Sequence, residues 1–173
     1  MKALILLLAI IGSYYYVTEV KGKIQSAQAA NGSVVSQLSG VLVDSSGKRI
    51  TPKLKGKKYF IFYYSASWCP PCQKFTPDLV RFYNSNKALR SKYEIILVSS
   101  DRSEREQLNY MRQKRMNFPA VKFSKIAISG VNEFMSGSGI PHLSMVDAKG
   151  NVLVDDLAWN AMAKIENILN GRD

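Results

Sequence analysis

Two short apolar runs constrain the fold more than any other feature of the sequence. Residues 58–67 have the sequence KYFIFYYSAS, and residues 93–100 have the sequence YEIILVSS. A short run that is apolar almost throughout predicts a strand buried on both faces, as at the centre of a parallel sheet. Each run therefore predicts a central strand of a sheet that is covered on both sides.

A helical pattern follows each of these runs. After the first run, apolar residues recur at helical spacing, namely Phe75, Leu79, Phe82 and Tyr83. Pro70 suits the first helical position, and Pro77, inside the same helix, predicts a kink. After the second run, Ser103 and Glu106 form a capping box that predicts a helix to about Met116.

The last third of the chain predicts a β-hairpin and a final helix. The stretch HLSMVDAKGNVLVDD alternates about a turn at Lys149-Gly150. The final helix is predicted from Leu157 to Leu169, with one apolar face formed by Leu157, Ala161, Ile165 and Ile168. Strand–helix alternation implies parallel pairing, and the hairpin adds antiparallel strands. The predicted fold class is therefore α/β, a central mixed β-sheet with helices on both faces.

The first 29 residues have the pattern of a secretory signal peptide or of an N-terminal membrane anchor. Lys2 precedes an apolar run, and residues 3–18 carry no charge. Ala27-Gln28-Ala29 is a candidate cleavage site, and residues 30–40 are small and polar, as in a linker. We therefore expect a domain over residues 41–173 that is exported to a periplasm, a secretory lumen or the extracellular space, with possible membrane association through residues 3–18.

The chain is strongly basic, with 24 Lys and Arg against 13 Asp and Glu and a net charge of +11. The basic residues are densest over residues 47–58, GKRITPKLKGKK, and no nucleic-acid-binding motif accompanies them. We do not expect a nucleic-acid partner. A solvated basic loop is the simplest interpretation of this stretch. A docking face for an acidic partner or for lipid headgroups is the alternative.

The only two cysteines, Cys69 and Cys72, lie between the first strand and its helix, with Pro70 and Pro71 between them. A structural zinc site needs four ligands, and His142 is the only histidine, so no metal site is expected. Haem attachment would require a histidine at the position that Gln73 occupies. A purely structural disulfide would close so short a loop that it would stabilise the fold little.

A redox pair is the interpretation with a positive physical case. Free N–H groups and the helix dipole favour a thiolate where a helix begins. Cys69 precedes the first turn, so its sulfur can be exposed and attack a substrate disulfide. Cys72 lies one turn in, where it should be more buried and resolve the mixed disulfide. The two prolines hold the sulfurs close but remove two backbone donors near Cys69.

The stretch FIFYYSASWCPPCQKFTPDLVRFYN resembles the active-site segment of thioredoxin-fold proteins, especially the tryparedoxin and nucleoredoxin group. The resemblance continues through EIILVSSDRSEREQLNYM, FPAV and SGIPHLSMVDAKGNVL. It implies a thioredoxin-like three-layer sandwich. It also implies a redox-active Cys69–Cys72 disulfide and no further cofactor.

The resemblance also implies roles for residues around the cysteines. Cys69 would be the nucleophile and Cys72 the resolving thiol, and Trp68 would flank the site and help to present the substrate. Pro141 would be a cis-proline facing the disulfide, and the backbone of Ile140 would pair with the substrate chain.

Two positions depart from the pattern of thioredoxin or of the group. Tyr63 stands where thioredoxin has a buried aspartate, as expected for the tryparedoxin-like group, and with water it is a candidate proton acceptor for Cys72. His142 stands where threonine is commoner. It is either a polar strand residue near the surface or an imidazole close enough to Cys69 to stabilise the thiolate or shuttle a proton. Trp159 on the last helix is interpreted as a packing residue.

The expected function is a thiol–disulfide oxidoreductase, acting as a reductase on protein or small-thiol disulfides with an upstream electron donor or acceptor. A disulfide oxidase or isomerase of the same fold is an alternative. An exported thioredoxin-fold adaptor, which would bind partners through the basic stretch, is the alternative outside enzyme chemistry.

Overall fold

The computed structural model describes residues 33–172, which form a six-stranded mixed sheet in the order β1-β4-β3-β2-β5-β6. The strands are β1 Leu42–Val43, β2 Tyr59–Ser65, β3 Tyr93–Ser99, β4 Ala120–Val121, β5 His142–Asp147 and β6 Val152–Leu157. The predicted leader over residues 1–29 lies outside the described residues. Within residues 33–172, no helix has both the length and the apolar character needed to cross a membrane.

The central strand is β2, the first of the two apolar runs. It pairs in parallel with β3, with Tyr59 opposite Tyr93, and in antiparallel with β5, with Tyr64 opposite His142. All seven residues of β3 and six of the seven in β2 are buried. The prediction of two strands buried on both faces is confirmed.

Helices cover both faces of the sheet. They are α1 Val34–Leu38, α2 Pro70–Ser85, α3 Glu104–Gln113 and α4 Ala158–Asn170. Alternate residues of β2 point to opposite sides, as the period of a strand requires. Ile61 and Tyr63 belong to the core that includes α2, α3 and α4, and Phe60 and Phe62 belong to the core that includes α1. The predicted three-layer α/β arrangement is confirmed.

Helix α2 continues through Pro77 to Ser85. A proline inside a helix removes the hydrogen bond that its N–H would give to the carbonyl four residues earlier, here that of Gln73. The Lys114 ammonium, just after α3, donates to this carbonyl at 3.2 Å. A side chain from a neighbouring segment thus replaces the backbone donor that Pro77 lacks.

Part of the predicted linker is folded. Residues 34–38 form α1, which Ser33 caps through a hydrogen bond from the N–H of Ser36 to its hydroxyl. Val34 and Leu38 are buried, and the N–H of Val34 donates to the carbonyl of Ala148 at 3.2 Å. The apolar residues at positions i and i+4 lie on one helical face, which packs against the sheet.

The predicted boundaries of the last two helices need correction. Helix α3 ends at Gln113, and not near Met116, because Arg115 adopts a positive φ of 54°. Leu157 is the last residue of β6 and is 48% exposed, so it is not part of the buried face of α4. That face is formed by Ala158, Ala161, Ile165 and Leu169.

One lysine of the basic stretch, Lys57, is largely shielded from solvent, contrary to a wholly solvated loop. Lys57 forms an ion pair with Glu94 of β3 at 3.3 Å, and the two side chains are only 10% and 8% exposed. The same ammonium donates to the carbonyls of Tyr93 and Arg90, and the hydroxyl of Tyr83 donates to Glu94 at 2.7 Å. Other basic residues of the stretch are exposed, namely Lys48, Arg49, Lys53, Lys55 and Lys58.

Candidate active site

The two cysteines form a disulfide beyond the carboxyl end of β2, at the start of α2. Cys69 is the N-cap of the helix, and its sulfur accepts a hydrogen bond from the N–H of Cys72 at 3.2 Å. Cys72 is fully buried, as expected, but Cys69 is also buried, with 3% exposure. Its exposure is lower than predicted because it packs with Ala66 and Ile140.

The two prolines of the motif occupy the first two positions of α2 and are exposed. The N–H groups of these positions have no partner within a helix, so Pro70 and Pro71 remove no intrahelical hydrogen bond. Cys72 is therefore the first residue of the helix that has an N–H, and its N–H points at the Cys69 sulfur. This donor and the helix dipole both favour negative charge on that sulfur.

The segment before β5 lies against the disulfide. The Ile140–Pro141 peptide bond is cis, as the resemblance implied, and the Ile140 carbonyl oxygen lies 3.6 Å from the Cys69 sulfur. Within residues 33–172, neither the N–H nor the carbonyl of Ile140 forms a backbone–backbone hydrogen bond. These two groups are thus available to an extended substrate chain, although the pairing itself stays a prediction.

The loop that enters the motif is held by Asp101, which follows β3. One oxygen of this carboxylate accepts from both the N–H of Ser67, at 2.7 Å, and its hydroxyl, at 2.6 Å. Its other oxygen accepts from the hydroxyl of Ser99 at 2.8 Å. The indole N–H of Trp68 donates to the carbonyl of Ser100 at 3.2 Å, and 53% of Trp68 remains exposed beside the disulfide.

Asp101 was not predicted as a site residue, although the sequence contains a signal for it. The residue comes two positions after the end of a buried strand that runs parallel to β2. Parallel strands end at the same edge of a sheet, which is where α/β proteins place their sites. A carboxylate at that position is therefore expected to lie close to the loop that follows β2.

Tyr63 lies in a buried network of hydroxyl groups. Its hydroxyl lies 2.8 Å from that of Thr76, which donates to the carbonyl of Cys72 at 2.7 Å, and the hydroxyl of Ser65 donates to Tyr63 at 3.0 Å. Burial raises the pKa of Tyr63 well above its ordinary value, so the phenol stays neutral. Tyr63 thus reaches the backbone of Cys72 through Thr76, and its role as a proton acceptor stays a prediction.

His142 is the first residue of β5 and is 5% exposed, so it is not a surface residue. Its Nε2 lies 2.5 Å from a carboxylate oxygen of Asp155 on β6. Its ring packs edge-on against Tyr64, with 6.2 Å between ring centroids. The hydrogen bonds described for the imidazole reach Asp155 and neither sulfur, so direct action on Cys69 stays a prediction.

Trp159 belongs to α4 and packs edge-on against Phe75 of α2, with 5.3 Å between ring centroids. This contact agrees with the packing role predicted for it, although 51% of the side chain is exposed. Over residues 33–172, no cluster of three or more His, Cys, Asp or Glu side chains could hold a metal ion.

Comparisons with known proteins agree on one family. A family model described as thioredoxin-like matches residues 56–152, more than half of the chain. The chain is 38% identical to a nucleoredoxin of Xenopus laevis over 118 residues, which is 67% of this chain and 28% of that protein. It is 32% identical to the tryparedoxin of Trypanosoma brucei brucei over 114 residues, which is 65% of this chain and 76% of that protein.

A solved structure supports the same assignment. A tryparedoxin II complexed with glutathionylspermidine matches with a TM-score of 0.59 and 28% identity, over 77% of this chain and 88% of that one. This chain spans little more than a quarter of the length of the nucleoredoxin it matches. The fold, the cysteine pair and these similarities show that the chain belongs to the thioredoxin-like family.

Proposed function

We propose that this chain is a thiol–disulfide oxidoreductase that reduces disulfides through Cys69 and Cys72. The observation that carries the proposal is the position of the Cys69 sulfur. It accepts a hydrogen bond at the start of α2 and lies 3.6 Å from the carbonyl oxygen of Ile140, next to a cis-proline. The site thus combines a sulfur that can carry negative charge with the backbone of Ile140 beside it, which has no backbone hydrogen-bond partner within residues 33–172.

The exchange begins with both cysteines reduced. The Cys69 thiolate attacks one sulfur of a substrate disulfide, the substrate S–S bond breaks, and the other substrate sulfur leaves as a thiolate. Cys72 then loses its proton and attacks the Cys69 sulfur, which releases the second substrate thiol. Two electrons have passed to the substrate, and the Cys69–Cys72 disulfide has formed again. An upstream dithiol donor must reduce this disulfide before the next cycle.

Protein disulfides and small-thiol disulfides are the proposed substrates. Support for small thiols comes from the tryparedoxin II that was solved with glutathionylspermidine. Support for extended protein chains comes from the N–H and carbonyl of Ile140 beside the disulfide, which have no backbone partner in the described part of the chain. Such groups can form main-chain hydrogen bonds with a peptide that lies alongside.

A redox titration tests the direction of electron flow. We expect the Cys69–Cys72 pair to equilibrate with dithiothreitol buffers at about −270 mV, the potential of thioredoxin, and the reduced chain to reduce insulin. The fraction oxidised is read by thiol alkylation and mass spectrometry. A reduction potential of the Cys69–Cys72 pair of about −120 mV would instead indicate an oxidase. A Cys69–Cys72 pair that cannot be cycled between dithiol and disulfide would indicate an adaptor.

We also propose that residues 1–29 direct the chain out of the cytoplasm, either as a cleaved leader or as a membrane anchor. The support is the uncharged, apolar stretch over residues 3–18 that follows Lys2. In cells that express the full chain, we expect a mature protein that begins at Ala30 or an uncleaved protein that resists carbonate extraction from membranes. An uncleaved chain in the soluble cytoplasmic fraction would contradict this proposal.

A further inference from the structure

Asp155 of β6 links its own strand to β5 and to the segment before β5, on the side of the sheet away from α2. One of its oxygens lies 2.5 Å from His142 Nε2 and accepts from the hydroxyl of Ser144 at 2.8 Å. The other oxygen accepts from the backbone N–H of Ser136 at 2.9 Å. Burial alone would raise the pKa of Asp155, but its hydrogen bonds with Ser136, His142 and Ser144 lower it to about 2. The carboxylate is therefore charged at neutral pH.

The segment 136–141 runs from this carboxylate to the disulfide. Ser136 is bonded to Asp155 at one end, and at the other end the carbonyl of Pro141 accepts from the N–H of Ala158 at 3.0 Å. Ile140 lies between these two ties, with its carbonyl oxygen 3.6 Å from the Cys69 sulfur.

Besides these two ties, the segment is held by the packing of Ile140 against Ala66 and Cys69. Its sequence from Ser136 to Gly139 is Ser-Gly-Ser-Gly, which is the composition of a flexible linker. Within the described part of the chain, residues 136–140 form no backbone–backbone hydrogen bond, and residues 136–139 are exposed. Ordering such a segment costs backbone entropy, so the hydrogen bond from Ser136 to a charged acceptor matters for its geometry.

We propose that Asp155 and His142 are positioning residues that hold the segment 136–141 so that the backbone of Ile140 stays in place beside Cys69. The imidazole orients the carboxylate, and the carboxylate holds the N–H of Ser136. This role rests on the proposed function, because it concerns how a polypeptide substrate is aligned. In this proposal His142 acts through Asp155 and not directly on the Cys69 sulfur.

The test compares two substrates on the full chain with Asp155→Ala. Insulin presents a polypeptide backbone to the segment, whereas the aromatic disulfide DTNB presents none. We expect kcat/KM for insulin to fall about 10-fold and kcat/KM for DTNB to stay within about twofold, because only the first reaction uses the aligned backbone. In the reduced chain, the rate at which iodoacetamide alkylates Cys69 should also stay within about twofold of the wild-type rate.

Asp156→Ala is the matched control. Asp156 is the next residue of β6, and its carboxylate accepts from Lys164 and Asn160 on α4, so the control removes a neighbouring carboxylate that has no contact with the segment. It should leave both substrates unaffected. If Asp155→Ala does not fold, Asp155→Asn replaces it. That variant keeps one acceptor oxygen where two are needed. We therefore expect its kcat/KM for insulin to fall at least about threefold while its kcat/KM for DTNB stays unchanged.

Equal losses with insulin and DTNB, or no loss with either, would overturn the positioning role while leaving the oxidoreductase function intact. A wild-type chain that reduces neither substrate would instead contradict the proposed function itself.

Discussion

Cys69→Ser is expected to lower disulfide reduction by at least about 10³-fold, because a serine hydroxyl cannot form the mixed disulfide. Cys72→Ser should also stop turnover, but for a different reason. Its Cys69 can still attack, and the mixed disulfide then persists because nothing resolves it. Insulin reduction measures the turnover. Non-reducing gels and intact mass show whether substrate remains attached to the chain.

The two serine variants control for each other, since each removes one thiol from the same motif. The expected pattern is covalent trapping with Cys72→Ser and none with Cys69→Ser. Trapping with Cys69→Ser and none with Cys72→Ser would instead make Cys72 the nucleophile and Cys69 the resolving thiol. Full activity of Cys69→Ser would remove this pair from the reaction altogether.

Lys57→Met is expected to lower the free energy of unfolding by about 3 kcal/mol. The ion pair of Lys57 with Glu94 is almost fully buried. Of the side-chain partners described for Glu94 within residues 33–172, the substitution leaves this buried carboxylate only the hydroxyl of Tyr83. Removing one member of a buried pair leaves an uncompensated charge, which costs about 3–5 kcal/mol. Urea unfolding followed by circular dichroism gives the change from the transition midpoint and slope.

Lys58→Met serves as the control, because it removes the same charge one residue later at an exposed position. Its effect should lie within about 0.5 kcal/mol of the native chain. In the double variant Lys57→Met with Glu94→Leu, most of the lost stability should return, since no buried charge remains. Equal effects of the two lysine variants would show that the buried ion pair adds nothing to stability.

The sequence predicts those parts of this molecule that depend on local pattern. The strands β2 and β3 are short apolar runs, and α2 has apolar residues at helical spacing behind Pro70, so neighbouring residues carry the signal. The cysteine pair is likewise a local motif. Residues 34–38 gave a weaker signal, because this five-residue helix buries only Val34 and Leu38 fully, with Val35 partly buried against the same core.

The contacts that shape the site join residues far apart in the chain, and no local pattern contains them. Asp101 holds Ser67 across 34 residues, Lys114 donates to Gln73 across 41, and Asp155 holds Ser136 across 19. The burial of Cys69 has a similar cause, because it packs with Ile140, which comes 71 residues later. Such pairs become neighbours only through the pairing order of the strands.

The N-cap of α2 couples the redox state of this chain to the stability of a helix. The capping atom is the Cys69 sulfur, which becomes a stronger acceptor when it carries a thiolate charge. A thiolate on Cys69 therefore strengthens the cap in the reduced chain, whereas in the oxidised chain the disulfide itself spans the first turn. Linkage makes this relation reciprocal. A binding partner that strengthens the hydrogen bond from the Cys72 N–H to the Cys69 thiolate stabilises the reduced chain and makes it a weaker electron donor, and one that weakens this bond makes it a stronger donor.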